Sequence, residues 1–441
     1  MKRRSFLSTL GATALAGATF PAKSVLADSR EHRSSSDSSL FHDFSLPFAA
    51  EQQAGKDRLA RLRSVMREQE VGAVILFDAV NIRYACGIRN MQINTSRNPG
   101  RYIFVPVSGK VTMFEYIGCE HLAKPWLNVT IDEIREAVAP HPLYTGSHQA
   151  EAEAMFLSEM NELVARANLI GATIAIERAP TMVVPLLQNA GYTIVDATVV
   201  METAKSIKCD SELPLIRASV ACTEASIAYM EKRIVPGITE NELFADLSRA
   251  LLSNGGEYLE TRLLSSGLKT NPWFQETGNK VIKRGELVAL DTDIIGVHGY
   301  YTDMSRTFLA GDGKPTEAQK NVYKLAYEQI HYNIGLIKVG MGFREFAEKA
   351  WKIPKEFDKN KYICTVHGNG MTGEWPAIPH LADFERSGTE GEFKPNMTVC
   401  VESYIGSING GEGVKLEELI LITDAGIERI TTYPFDRRLL S

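Results

Sequence analysis

The stretch Leu287-Val288-Ala289-Leu290-Asp291-Thr292-Asp293 is an apolar strand pattern that ends in two acids. A second strand pattern follows closely, Tyr301-Thr302-Asp303-Met304-Ser305-Arg306-Thr307. Side chains alternate along a strand, so Asp291 and Asp293 are expected on one strand face. Both patterns place acids where a buried strand normally carries apolar residues. They predict a sheet on which carboxylates are grouped.

Further along the chain, two more strand patterns carry acids. Glu402 ends the apolar run Val399-Cys400-Val401, and Glu417 precedes Leu419-Ile420-Leu421-Ile422. His367, in Thr365-Val366-His367-Gly368, adds an imidazole. Burying several carboxylates together is costly unless cations neutralise them. The sequence therefore predicts a metal centre.

The expected ligand set is one imidazole with many carboxylates. Such a hard, oxygen-rich set favours iron or manganese and differs from a thiolate-rich structural zinc site. Several bridging carboxylates suit two divalent ions about 3.5–4 Å apart. The predicted metal ligands are Asp291, Asp293, Asp303, His367, Glu402 and Glu417.

The bulk composition is that of a soluble globular protein of two to three domains. The chain has 441 residues, of which 44% are hydrophobic and 23% charged, and its net charge is -6. No basic patch is evident, so nucleic acid is not an expected partner. The six cysteines are scattered without a CxxC pair and are interpreted as small buried side chains, although export would permit a disulfide.

The N-terminus has the pattern of an export signal. Lys2-Arg3-Arg4 precedes a short apolar run that ends at Phe20, which predicts a twin-arginine signal peptide over residues 1–27 and a periplasmic protein. The run is too short for a membrane span of about 20 residues, and no span is predicted in the mature protein. Residues 28–44 are interpreted as a flexible leader.

Two folded domains are expected after the leader. Residues 45–204 alternate helix and strand patterns, with a hairpin over Tyr102 to Tyr116, and predict an α/β domain. Residues 205–441 begin with helical periods at Ser211 to Arg233 and Glu240 to Ser253, and strand patterns follow. Helices first and strands after predict an α+β domain with a mostly antiparallel sheet.

The order of the acidic and histidine motifs resembles that of a known family. Asp, then Tyr-x-x-Asp-x-x-Arg-Thr, then His-Gly-x-Gly, then Glu, then Glu is similar to the ligand order of the pita-bread family, which contains creatinase, methionine aminopeptidase and the Xaa-Pro peptidases. The resemblance runs from about residue 50 to the end. It implies a pita-bread catalytic domain, with a curved antiparallel sheet and helices, preceded by a smaller creatinase-like α/β domain.

Within that family the chain looks most like the DddP-type dimethylsulfoniopropionate lyases. The stretches that carry this are Glu260 to Leu264, Thr270 to Glu276, Glu374-Trp375-Pro376 and Tyr433 to Asp436. The doubled acid also resembles the lyases, since the peptidases usually have Asp-x-Gly there. The resemblance implies a homodimer with two metal ions, iron first and manganese next, and a small carboxylate substrate.

Two departures leave the reaction open. The family's peptidases need a histidine after a Ser-Gly turn and another seven residues past the ligand histidine; this chain has none between His148 and His298, and Glu374 at the second position. The lyases have a proposed catalytic aspartate where this chain has Gly373. The candidate bases are therefore Glu374 and Tyr362, the latter placed five residues before the ligand histidine as in the lyases.

Three functions are compatible with these residues. The first is a C–S lyase, releasing acrylate and dimethyl sulfide by β-elimination, or a related lyase on a small carboxylate. The second is an Xaa-Pro-type metallopeptidase, and the third a non-catalytic binding protein of the same fold. Trp273 and Trp375 are candidates for an aromatic wall, with core packing as the alternative. His298 is expected in an exposed turn.

Overall fold

The computed structural model describes residues 41–441. The predicted signal peptide and most of the predicted leader lie outside the described residues. The leader's last residues contact the folded chain, because the backbone N–H of His42 donates to Asn254 Oδ1 at 3.1 Å and that of Phe44 to the Asn254 carbonyl at 3.3 Å. Among the described residues, no helix has the length and apolarity needed to cross a membrane.

The N-terminal domain is built on one mixed sheet with the strand order β4-β3-β2-β1-β5-β6. The strands are β1 (Val71–Leu76), β2 (Tyr102–Pro106), β3 (Thr112–Glu115), β4 (Glu133–Glu136), β5 (Thr173–Glu177) and β6 (Thr193–Asp196). β2 and β3 form the predicted antiparallel hairpin, while β1 and β5 pair in parallel. Every residue of the central strand β1 is buried, which explains its unbroken apolar run.

Helices cover both faces of this sheet with apolar side chains. They are α1 (Phe48–Glu68), α2 (Ala79–Cys86), α3 (Gln92–Arg97), α4 (Pro142–Thr145), α5 (Gln149–Arg166), α6 (Val183–Asn189) and α7 (Thr198–Ser206). One core cluster contains Leu62 of α1 and Val74 of β1, and a second contains Ile75 of β1 and Phe156 of α5. Neighbouring residues of β1 thus face opposite layers, as alternation requires.

The C-terminal domain begins with its helices, as predicted. Its helices are α8 (Leu213–Glu231), α9 (Glu240–Ser253), α10 (Glu317–Leu336), α11 (Phe343–Lys349), α12 (Leu381–Ser387) and α13 (Arg437–Leu440). Thr239 and Thr316 form capping boxes with Glu242 and Gln319, so side chains satisfy the free backbone N–H groups where α9 and α10 begin.

The strands that follow pair antiparallel, and the predicted fold class is confirmed. They are β7 (Tyr258–Leu259), β8 (Leu264–Ser266), β9 (Leu287–Asp291), β10 (Ile294–Ile295), β11 (Tyr301–Thr302), β12 (Ser305–Leu309), β13 (Val366–Asn369), β14 (Gly373–Ile378), β15 (Thr398–Ile405), β16 (Val414–Thr423) and β17 (Gly426–Arg429). They form sheets of the orders β11-β10-β7, β12-β9-β8 and β14-β13-β15-β16-β17.

One prediction about these strands is wrong. Asp291 and Asp293 do not share a strand face, because β9 ends at Asp291 and β10 starts at Ile294. Asp293 lies in the break with a left-handed φ of 42°. Aspartate is among the few residues that tolerate this conformation. The break turns the second carboxylate out of the alternating pattern on which the prediction rested.

Candidate metal centre

Strand pairing brings the predicted ligands together. Glu402 of β15 lies directly opposite Glu417 of β16, and Asp291 of β9 lies opposite Ser305 of β12. His367 of β13 lies opposite Cys400, two residues before Glu402 on the same face of β15. Asp303 occupies the short break between β11 and β12. The register of the antiparallel strands therefore places residues that are far apart in sequence close together in space.

The imidazole of His367 lies at the middle of the group. Its Nε2 is 3.6 Å from Asp303 Oδ2, 3.3 Å from Glu402 Oε1 and 3.5 Å from Glu417 Oε1. Its Nδ1 is 3.0 Å from the Gly368 carbonyl oxygen, which selects the tautomer that leaves Nε2 free to bind a cation. Burial lowers the pKa of His367, but the close carboxylates of Glu402 and Glu417 outweigh burial and raise that pKa well above 6.5.

Several buried carboxylate oxygens at this point need a cation. Within residues 41–441, no hydrogen-bond donor reaches Asp303 Oδ1, Glu402 Oε1 or Glu417 Oε1. All three carboxylates are almost fully buried. Burial, followed by the neighbouring carboxylates, raises the pKa of Asp303 well above its usual value. A buried acceptor without a donor is costly, so this donor set fits a divalent cation.

Sequence reasoning missed a buried lysine at the same place. Lys415 is fully buried, and its Nζ lies 3.1 Å from Asp291 Oδ2, 2.7 Å from Glu402 Oε2 and 3.3 Å from Glu417 Oε2. Ser305 Oγ accepts from the same ammonium at 2.8 Å. The available signal was its position two residues before Glu417, which places both side chains on one face of a buried strand.

The ammonium divides the carboxylates into two environments. Burial raises the pKa of Asp291 to about 8 even though Lys415 opposes the shift. Burial also favours the neutral form of Glu417, but Lys415 and His367 outweigh it and lower the pKa of Glu417. Ser305 Oγ donates to Asp291 Oδ1 at 2.6 Å and lies 2.9 Å from Glu417 Oε2. Asp291 is thus already held by a hydroxyl and an ammonium, whereas the oxygens around His367 are not.

Asp293 joins the group through a phenol. The Tyr301 hydroxyl contacts Asp293 Oδ1 and lies 2.9 Å from Asp303 Oδ2, so it bridges the two acids. Thr261 donates to the other oxygen of Asp293. Asp293 is therefore linked to Asp303 through Tyr301, although it arrives by a different backbone path from the one predicted.

Cys400 is a further atom of the centre that the sequence interpretation treated as core. One ligand atom each from Asp303, His367, Cys400 and Glu417 lies within 4.8 Å of the other three. Burial raises the pKa of the Cys400 thiol well above its usual value. All six cysteines of the chain are free in the structure.

A cleft of about 550 Å³ opens onto the centre. Asp293, Asp303 and His367 form part of its wall, and Tyr362 and Gly373 form another part. Such dimensions suit a small molecule. The cleft gives a substrate access to the acids from one side, while Lys415 lies behind them.

Tyr362 lies at the base of this cleft. Its ring is 4.4 Å from Lys415 Nζ and stacks on Phe274 with a centroid distance of 5.3 Å. Burial, followed by the charge of Glu402, raises the pKa of Tyr362, so the hydroxyl is protonated in the ion-free protein. Trp273 is buried nearby against Tyr404. Trp273 thus packs as core beside the lysine, and neither Trp273 nor Trp375 is among the residues that line the cleft.

Glu374, the other candidate base, is engaged elsewhere. Its carboxylate accepts from Lys208 Nζ at 3.0 Å and from the backbone N–H of Met371 at 2.9 Å. Both side chains of the ion pair are buried. A Cβ at Gly370 would lie 2.3 Å from Glu374 Oε2, so glycine permits this folded-back arrangement. Glu374 lines the cleft, but its carboxylate is occupied by Lys208 and by the Met371 N–H.

The expectation of an exposed His298 is wrong. His298 is only 8% exposed. It pairs with Glu51 of α1 through Nδ1, and its Nε2 accepts from the backbone N–H of Leu46 at 2.6 Å. The turn was recognised, but the N-terminal segment that covers it could not be located from sequence spacing.

Family models match both domains of the chain. The creatinase/prolidase N-terminal domain matches residues 58–203, and metallopeptidase family M24 matches residues 214–424. The matches agree with the resemblance identified from the ligand order.

Curated relatives cover most of the chain. The dimethylsulfoniopropionate lyase DddP of Roseovarius nubinhibens is 31% identical over 388 residues, which is 87% of this chain and 86% of that protein. The protein of the same name from Roseobacter denitrificans is 32% identical with the same coverage. The Xaa-Pro dipeptidase of Pyrococcus furiosus is 26% identical over 53% of this chain and 65% of that protein.

Solved structures confirm the fold. The Xaa-Pro dipeptidase from Bacillus anthracis aligns with a TM-score of 0.69 at 21% identity, covering 87% of this chain and 99% of that one. The prolidase from Pyrococcus furiosus aligns with a TM-score of 0.66 at 22% identity, covering 84% and 99%. Identity at this level shows a shared fold and leaves the reaction to be argued from the site.

Proposed function

The chain belongs to the pita-bread metalloenzyme family, metallopeptidase family M24, and from this premise we propose that it is a metal-dependent lyase acting on a small carboxylate substrate. The observation that carries the proposal is Asp293 at the wall of the cleft, tied to Asp303 through Tyr301. The family's peptidases usually have glycine at that position. The 31% identity with a dimethylsulfoniopropionate lyase over most of both chains supports the same choice.

Charge balance supports two divalent ions. The five carboxylates carry five negative charges, of which Lys415 compensates one. Two divalent ions would compensate the remaining four, while His367 binds as a neutral ligand. The oxygen-rich donors favour iron or manganese. Bound ions would stabilise the negative charge that develops on a substrate carboxylate during proton removal.

The proposed reaction is a β-elimination. A base removes the proton on the carbon next to the substrate carboxylate. The electron pair of the broken carbon–hydrogen bond forms the new carbon–carbon double bond. The bond between the β carbon and sulfur breaks, and its electron pair stays on sulfur. The products are acrylate and dimethyl sulfide, and because the leaving group is neutral it needs no acid.

Tyr362 is the proposed base. Both Glu374 and Tyr362 line the cleft, but the Glu374 carboxylate is paired with Lys208, whereas Tyr362 lies beside Glu402. The nearby carboxylate raises the pKa of the Tyr362 phenol, whereas a nearby cation would lower it. Metal ions at the centre would therefore favour the phenolate. We expect Tyr362→Phe to lower kcat by about 10²–10⁴-fold without loss of bound metal.

The test is product formation by protein loaded with iron or manganese. Dimethylsulfoniopropionate is supplied, dimethyl sulfide is measured by headspace gas chromatography and acrylate by NMR. Metal-stripped protein and His367→Ala serve as controls and are expected to be inactive. Cleavage of a Gly-Pro or Ala-Pro dipeptide without dimethyl sulfide release would overturn the lyase in favour of a peptidase. Absence of bound metal would favour a non-catalytic binding protein.

We further propose that the protein is an exported homodimer. Export follows from the twin-arginine pattern at Arg3-Arg4, and the dimer follows from the resemblance to the lyases. Fractionation of cells that express the full chain tests the first, and size-exclusion chromatography with light scattering tests the second. A cytoplasmic location or a monomeric mass would contradict the respective proposal.

A further inference from the structure

A second cavity, of about 650 Å³, lies beside the metal cleft. Its wall is formed by α2, α3 and the end of β5 on one side, and by residues 258–260 and 372–373 on the other. Gly373 belongs to the walls of both cavities. A Cβ at this position would meet only Tyr301 Cε1, at 4.0 Å. The glycine therefore leaves free space at a residue that the walls of the two cavities share.

Three residues of the second cavity carry unpartnered acceptors. Asn81 Oδ1, Gln92 Oε1 and Glu177 Oε1 have no hydrogen-bond partner among residues 41–441. Each of the three residues is at most 9% exposed. The Asn81 amide donates to the other oxygen of Glu177 at 2.6 Å, which orients both groups. All three unpartnered atoms are acceptors, so the missing partner is a donor.

Two of the three cations that line this cavity already have partners, and the third, Arg97, is exposed at the end of α3. Arg178 Nε lies 3.2 Å from Asp78 Oδ2, and Lys205 Nζ lies 2.6 Å from Glu202 Oε1. In the described part of the chain, no ion pair includes Glu177. Burial, followed by the charge of Asp78, raises the pKa of Glu177 to about 8. A buried carboxyl without a cation is therefore available to a positively charged ligand.

We propose that this cavity binds the ammonium or guanidinium end of an elongated substrate whose carboxylate lies in the metal cleft, with the chain passing Gly373. The placement of the substrate carboxylate in the metal cleft rests on the proposed function. The three N–H donors of an ammonium match the three unpartnered acceptors of this cavity, and a guanidinium supplies five donors. Such a substrate is an amino acid with its charges at opposite ends, longer than dimethylsulfoniopropionate.

The test is isothermal titration calorimetry on the full manganese-loaded protein. The probes are 4-aminobutanoate, 6-aminohexanoate and 8-aminooctanoate, each compared with the carboxylate of equal length that lacks the amine. A charge-assisted hydrogen bond predicts that the best amino acid binds about tenfold more tightly than its partner. Glu177→Gln should abolish the advantage, and Gly373→Leu should abolish it by closing the passage. Glu162→Gln, at a solvent-exposed carboxylate paired with Arg135, is the matched control and should retain it.

Hexylamine separates this inference from the proposed function, because it has no carboxylate. It should bind the wild-type protein, and Glu177→Gln should lose most of that binding even if no lyase activity is found. Equal binding of amino acids and plain carboxylates at every length would overturn the inference while leaving the lyase intact. Hexylamine binding that Glu177→Gln leaves unchanged would overturn it as well.

Discussion

Replacing Gly373 with aspartate adds an acid at the position where the lyases have their proposed base. Only Tyr301 Cε1 lies within 4.0 Å of a Cβ there, and the residue is exposed at the wall of the cleft. The change should therefore alter the free energy of unfolding by no more than about 0.5 kcal/mol. An added general base contributes about 10²–10⁴-fold, or about 3–5 kcal/mol of barrier.

The expected gain lies at the low end of that range. Asp293 and Asp303 already share the Tyr301 hydroxyl, so a new carboxylate beside them is repelled and less well oriented. We expect Gly373→Asp to raise kcat/KM for dimethylsulfoniopropionate about 10²-fold. The assay is headspace detection of dimethyl sulfide from protein of known metal content.

Gly373→Asn is the matched control, because it has the same shape and no basic carboxylate. A folded, fully metal-loaded Gly373→Asp protein with an unchanged rate would refute the idea that an acid at position 373 can act as a base in this fold. An equal increase in Gly373→Asn would also refute it, because the gain would then come from filling space.

Three further predictions concern charge and metal. In urea unfolding, Lys415→Met should destabilise chelator-treated protein by about 3–5 kcal/mol and manganese-loaded protein by less, because ions replace the lost ammonium. Lys208→Met, at a buried ion pair away from the predicted ligands, is the control and should show no such dependence on metal. Equal losses for Lys415→Met with and without metal would contradict the prediction. His367→Ala should lose most bound metal by elemental analysis and the thermal stabilisation that metal gives wild type, and full metal retention would argue against its assignment as a ligand. Because burial raises the pKa of folded Glu177 from 4.5 to about 8, the unfolded chain releases this proton first and stability falls as pH rises between those values. The free energy of unfolding of Glu177→Gln minus that of wild type should therefore be larger at pH 8.5 than at pH 5, by up to a few kcal/mol. Urea midpoints of the two proteins that differ equally at both pH values would contradict this.

The ligands of the centre were predictable because buried acids are rare and their strand context was clear. Glu402 follows an apolar run and Glu417 precedes one, both runs predict buried strands, and His367 lies in a short strand pattern. Such residues combine a burial signal with a charge that must be neutralised. Their convergence, however, depends on register between strands that are distant in the sequence.

Other features of the site depend on tertiary partners that no local pattern reveals. Lys415 has the pattern of an ordinary strand lysine, and only the three carboxylates around it explain its burial. Glu374 is paired with Lys208 from the segment after α7, and no sequence motif links these two residues. Alternation failed at Asp293 because the backbone, and not the side-chain pattern, changes there.

The left-handed backbone at Asp293 bears on how this chain diverged from its peptidase relatives. Glycine adopts such a φ freely, and aspartate tolerates it better than most residues. Glycine and aspartate codons differ by a single base. One point mutation can therefore add or remove the fifth carboxylate while the β9–β10 connection keeps its shape. The step between the two ligand sets is short in evolutionary terms, since no intermediate sequence has to rebuild the turn.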